Sequence, residues 1–125
     1  MTYLAHWFKV GNFSRDVTVA SGTQTITGVG FKPKAVILFS TISLTTGNMS
    51  MGVDDSTSGY AVYSDHNVNP DVWVSQLAAS MQATTGAGVT YYGSVNSFDD
   101  DGFTVGWTKV GLPTGTFVTR YLAIR

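Results

Sequence analysis

The sequence predicts an all-β fold: a two-sheet antiparallel β-sandwich, jelly-roll-like, of about eight strands with little or no helix, filling residues 1–125 as one domain. Three observations carry that prediction. Strand-favouring residues dominate, with 15 Val, 17 Thr and 16 aromatics among 125 residues, types that suit a pleated, half-buried surface. Strong helix formers are scarce, and glutamate is absent, so all eight acids are aspartate. Alternating apolar runs recur roughly every ten residues between Gly, Ser, Asn and Asp clusters, the rhythm of sandwiches rather than of βαβ units.

The elements follow in order. Leu4, His6, Phe8 and Val10 alternate with Ala5, Trp7 and Lys9, a first strand punctuated by Gly11-Asn12. Val17 and Val19 suggest a short strand, and Thr23–Val29 a weak one around Ile26. Pro33 cannot donate to a ladder, so it marks a strand entrance or a bend. Ala35–Phe39 is apolar on both faces, which predicts a central strand covered on both sides. Met49–Val53 and Gly59–Tyr63 are the next two strands, around a polar loop at Asp54-Asp55-Ser56. Residues 70–82 fit both a helical and a period-two pattern; the β neighbours favour strand. Val89–Phe98, a hairpin loop at Asp99-Asp100-Asp101-Gly102, a return strand through Phe103, Val105 and Trp107, and a last strand Phe117–Ile124 complete the chain. Gly102 is expected to take a left-handed backbone. Phe31, Val36, Leu38, Phe103, Val105, Trp107 and Leu122 are the predicted core.

Composition excludes several classes of function. Charged residues are 12% and net charge is −1, so no polycationic surface exists for nucleic acid. With no cysteine there is no disulfide framework, thiolate nucleophile or Cys-ligated metal. The longest apolar run, Ala35–Phe39, falls far short of the roughly 20 residues that cross a bilayer. Met1-Thr2-Tyr3-Leu4 lacks the basic start of a signal peptide.

No catalytic set emerges. Only His6 and His66 could act as bases, and no G-x-S-x-G is present. Asp54-Asp55 and Asp99-Asp100-Asp101 are turn clusters, not carboxylates held on opposite sides of a bond. The aspartates lack the spacing and closing glutamate of an EF-hand. Gly28-Val29-Gly30 and Gly86-Ala87-Gly88 continue as neither a dinucleotide nor a P-loop motif. No metal ligand set and no cofactor are therefore expected. The remaining candidates are aromatics in or beside the polar middle of the chain: Tyr60, Tyr63, Trp73, Tyr91 and Tyr92, which would serve a protein interface or stack on sugar rings. Adjacent Tyr91 and Tyr92 on a strand must point to opposite faces.

Two stretches carry a resemblance. One runs from Thr25-Ile26-Thr27 through Gly28-Val29-Gly30-Phe31-Lys32-Pro33-Lys34-Ala35-Val36-Ile37-Leu38-Phe39; the other is Ser97-Phe98-Asp99-Asp100-Asp101-Gly102-Phe103-Thr104-Val105-Gly106-Trp107, with the closing Tyr121-Leu122-Ala123-Ile124. Together they resemble small virion proteins of tailed bacteriophages and prophages. The resemblance implies a β-sandwich particle component without catalytic residues, such as a capsid decoration or cement protein, assembled in a bacterial cytoplasm. Its partners would be copies of itself, a trimer by analogy, and the major capsid or other virion proteins. A looser similarity, an F-x-x-x-P strand and a G-F hairpin, is to the H-type lectin sandwich. It implies the alternative of a carbohydrate-binding module in a tail or host-recognition protein.

Overall fold

The computed structural model describes residues 7–42, 48–64 and 73–125, of which 73–77 by backbone only. Among them are ten strands and no helix: β1 (Phe8–Asp16), β2 (Gly22–Ile26), β3 (Ala35–Ile42), β4 (Met49–Asp54), β5 (Gly59–Ser64), β6 (Trp73–Leu77), β7 (Met81–Gly86), β8 (Val89–Asp99), β9 (Gly102–Val110) and β10 (Thr116–Ile124). They form a six-stranded antiparallel sheet, in the order β1-β10-β3-β4-β5-β6, facing a four-stranded one, β2-β9-β8-β7. The fold is the predicted β-sandwich, with two strands more than expected.

Local chemistry accounts for the differences. β1 runs on through Gly11-Asn12 to Asp16 without a register shift. Gly11 is a packing residue, not a break: a Cβ there would meet the Tyr121 ring. Val17–Val19 is a turn instead of a strand. The Asp16 carboxylate accepts from both the Thr18 amide (2.8 Å) and the Thr18 hydroxyl (2.7 Å), and the Val19 amide closes back on the Asp16 carbonyl. Residues 70–82 contain parts of two strands, β6 and β7, separated at Ala78, whose φ of 62° ends the first. The Ala78 amide bonds to the Gly59 carbonyl on β5, and the Ser80 amide to the Gly93 carbonyl on β8. That corner carries the chain from one sheet to the other.

The core lies between the sheets. Phe103, Trp107 and Tyr91 from the four-stranded sheet interlock with Phe13, Phe117 and Tyr121 from the six-stranded one. Phe103 meets Tyr121 edge-on with centroids 5.2 Å apart, and Tyr91 stacks on Trp107 at 5.3 Å, geometries that suit ring quadrupoles. Phe31, Val36, Leu38, Phe103, Val105 and Trp107 are buried as predicted. Leu122 is not core. It stands between buried Tyr121 and Ala123, so strand parity turns it to the opposite face.

One carboxylate joins the two stretches that carry the resemblance. Asp101, in the β8–β9 hairpin loop, accepts the Gly28 amide (3.0 Å) and the Gly30 amide (2.7 Å), while its own carbonyl takes the Val29 amide. Gly28 and Gly30 both sit at φ 85°, where a side chain is strained and glycine is not. Gly102 has a different role from the one expected. Its φ of 159° is close to extended; the glycine is required because a Cβ would run into the Ile26 carbonyl.

Candidate interaction surface

The outer face of the six-stranded sheet is apolar, and strand register explains how. Three of the rows that cross it are mostly apolar, while a fourth, Ser14, Val118, Thr41 and Met49, is mixed. Phe8, Ile124 and Ala35 are paired neighbours in the first; Val10, Leu122, Ile37, Val53 and Tyr60 in the second; Asn12, Arg120, Phe39, Met51 and Val62 in the third. Among these three rows Arg120 is the single charged side chain. Val10 is 72% exposed, Phe39 49% and Tyr60 52%. A shallow groove of about 270 Å³ lies between Ile37, Phe39, Met51, Val53, Tyr60 and Val62. Thirteen positions, each about 4.8 Å by about 6.8 Å, give a footprint of about 420 Å². That is within the about 300–600 Å² of the largest apolar patch on a typical monomer, a patch that is often functional.

Apart from Tyr63, the large apolar side chains of β4 and β5 face outward, and the inside is crowded at Gly52. Inward positions there are Ser50, Gly52, Asp54, Gly59, Ala61 and Tyr63, all buried. The Ala78–Ser80 corner presses on this part of the sheet: a Cβ on Gly52 would collide with the Ser80 carbonyl. Buried Asp54 ties the corner's surroundings together, accepting the Ser56 amide (2.7 Å) and, across the sandwich, the Val95 amide (2.8 Å). β3 is central, as predicted, but covered on one side only. Val36 and Leu38 enter the core while Ile37 and Phe39 line the open groove.

The five aromatics singled out from sequence do not gather. Tyr60 belongs to the apolar face. Tyr63 is buried on the inner side of β5. Tyr91 is fully buried in the ring cluster, its hydroxyl accepting from Arg15 Nε at 2.9 Å, so it is core and not a contact residue. Tyr92 is half-buried on the other side of β8, opposite Gln82 and Thr108, far in the topology from Tyr60. Trp73 takes a register position opposite Ser64, and its side chain lies outside the described residues, as do His6 and His66. Phe39, Met51, Val53 and Val62 are the surface residues that sequence reasoning missed.

Three carboxylates are held in the ionised form by hydrogen bonds to nearby amides and a hydroxyl. Asp101 is held below the usual carboxylate range by the Gly28 and Gly30 amides, Asp55 by the Ser58 and Thr57 amides, and Asp16 by the Thr18 hydroxyl and amide. These donors favour the ionised form, whereas a general acid needs the opposite. Tyr121 is pushed up, first by burial and then by the negative charge of Asp101. Among the described residues no three His or Asp side chains converge as a metal site. A second depression of about 290 Å³, polar, lies between Asp54, Ser56, Thr57, Ser58, Ser94 and Asn96. No family model matches the chain, and no curated protein or solved structure shows significant similarity to it.

Proposed function

We propose that this chain is a non-enzymatic structural protein that attaches to a larger protein assembly through the open face of its six-stranded sheet. The observation that carries the reading is that face: rows of Val, Ile, Leu, Met, Phe and Tyr with one arginine, exposed among the described residues. Water serves such a surface poorly, and a partner's apolar surface removes it from water at about 25 cal/mol per Å². The resemblance to small virion proteins of tailed phages supplies the assembly: a phage particle, with this chain as a decoration or cement protein binding the major capsid protein or another virion component. The two stretches that carry the resemblance are scaffold, so they support the fold and the class; the adhesive role rests on the sheet face.

The test uses particles lacking the chain, purified from a strain carrying the encoding genome with this gene deleted. Wild-type protein should co-sediment with them, while Met51→Lys and Val62→Lys should keep the wild-type melting temperature within a few degrees and lose most of the binding. Unchanged binding by both variants would refute the face as the attachment site.

A carbohydrate-binding reading has one observation in its favour, the polar depression beside Asp54 with Tyr60 at its margin. It is the weaker reading because the one carboxylate lining that depression, Asp54, already accepts two amides, as does Asp55 beside it. Asp54 is bonded to the Ser56 and Val95 amides, and Asp55 to the Thr57 and Ser58 amides. A hit on a glycan array that is lost in Asn96→Ala but kept in Met51→Lys would reverse the order of the two readings.

A further inference from the structure

We propose that the free edge of β1 pairs with the same edge of a second copy of this chain, with Val10 on the two-fold axis. The phase of hydrogen bonding decides which residues are available. The Arg125 amide donates to the Trp7 carbonyl at 3.0 Å, and β1 then pairs with β10 without a break from Phe8↔Ile124 to Asp16↔Thr116. Antiparallel ladders alternate bonded and non-bonded pairs. Trp7, Lys9, Gly11, Phe13 and Arg15 therefore turn their backbone groups toward β10, and Phe8, Val10, Asn12, Ser14 and Asp16 turn theirs outward. Two of the outward carbonyls are taken within the chain, Ser14 by the Gln24 side chain (2.9 Å) and Asp16 by the Val19 amide (3.3 Å). Phe8, Val10 and Asn12 keep three donors and three acceptors unpaired among the described residues.

That set is complementary to itself. An antiparallel second copy with Val10 opposite Val10 puts Phe8 opposite Asn12 and Asn12 opposite Phe8. All six backbone donors and acceptors on each side then find partners, and the contact is isologous. No like charges oppose one another, because the one charged residue in the segment, Lys9, falls opposite Gly11. Of the devices that blunt an edge, Phe8–Asn12 has neither a proline nor a bulge, and carries one lysine, Lys9. Phe8 and Val10 are among the most exposed apolar side chains of the described residues and stand on the open sheet face. Pairing makes the row Tyr60–Val53–Ile37–Leu122–Val10 continuous with its counterpart in the second copy. The edge that pairs is about 17 Å long, five residues at about 3.4 Å. Contacts this short bury less than the roughly 1,200–2,000 Å² of a standard complex, so the dimer is a weak one that fills at high concentration. The geometry is two-fold, in place of the trimer that analogy suggested. It is independent of the particle reading.

The test is sedimentation equilibrium with amide hydrogen exchange, on the full chain, from dilute to near-millimolar protein. The mass should double over that range, and the Phe8, Val10 and Asn12 amides should become about tenfold more protected at the top of it. Val10→Pro removes an outward N–H and no bond to β10, so it should fold and stay monomeric. Met51→Lys, on the face but away from the edge, should still dimerise. A wild-type monomer at every concentration overturns the proposal. So does a dimer that survives Val10→Pro but dissolves in Met51→Lys, which would put the contact on the sheet face. Should Val10→Pro fail to fold, the wild-type exchange decides: Val10 and Asn12 amides that exchange at the same rate at all concentrations refute the pairing.

Discussion

Gly52→Ala is the most direct probe of why the apolar face exists. At an open strand position, replacing glycine by alanine stabilises by about 0.5–1 kcal/mol, because the unfolded chain loses freedom. Gly52 is not open. An added Cβ would collide with the Ser80 carbonyl oxygen and stand 2.7 Å from the Ser80 carbonyl carbon and 2.9 Å from the Tyr60 carbonyl oxygen. All three atoms are backbone, and the Ser80 peptide is held by the bond from its own amide to Gly93, so none can swing aside. Overpacking of this kind costs about 1–3 kcal/mol, and immovable neighbours place it at the upper end. The net loss should be about 2 kcal/mol, or a fall of about 6–10 °C in Tm for a chain of this length. Gly86→Ala is the matched control: its Cβ would meet only the Val89 side chain, at 3.4 and 3.5 Å, so its Tm should hold or rise slightly. The assay is thermal unfolding by circular dichroism, with urea titration for ΔG. A Gly52→Ala variant as stable as wild type would mean that the corner does not press on β4. The outward placement of Met51 and Val53 would then need another cause.

Other outcomes follow from the same contacts. Leu38→Ala should cost about 2–5 kcal/mol in urea unfolding, because its side chain is fully enclosed, whereas Leu122→Ala, on the open face, should cost well under half as much; equal losses would return Leu122 to the core. Asp54→Ala leaves the Val95 and Ser56 amides without their acceptor and should cost about 1–3 kcal/mol, measured the same way. Asp101, Asp55 and Asp16 all have folded-state pKa values below their unfolded ones. Their stabilisation is thus present above the normal carboxylate pKa of about 3.9 and is lost as pH falls through the lowered values. Tm should drop on acidification below about pH 4, and Asp101→Asn should flatten that drop; an unchanged slope would show that the bonds to Gly28 and Gly30 do not form in solution.

The fold was legible because its signals are local. A continuous apolar run located β3, runs between polar turns located β4, β5, β8, β9 and β10, and the aspartate-glycine run located the β8–β9 hairpin. Where the reading failed, a neighbour distant in sequence decided the outcome. Gly11 looks like a break until Tyr121 is known to lie against it. The 70–82 segment looks like one element until the left-handed Ala78 splits it. Gly102 looks like a turn glycine, yet the constraint comes from Ile26, on a strand far away in sequence.

The apolar outer face was hidden for a related reason. Period two says that alternate residues share a face, and large apolar residues are normally assigned to the inner one. On β4 and β5 that assignment is inverted. Small residues occupy the crowded inside, and Met51, Val53, Tyr60 and Val62 are left to the outside. The sign of the inversion was present in the residues, since Ser50, Gly52, Gly59 and Ala61 are too small to fill a sandwich core, but its cause is a corner some twenty to thirty residues downstream. β3 gave the plainer hint. A strand apolar on both sides predicts cover on both sides, and the sandwich provides it on one. Among the described residues the outward side of β3 stays open at Ile37 and Phe39. That open side is the one the proposed partner would cover.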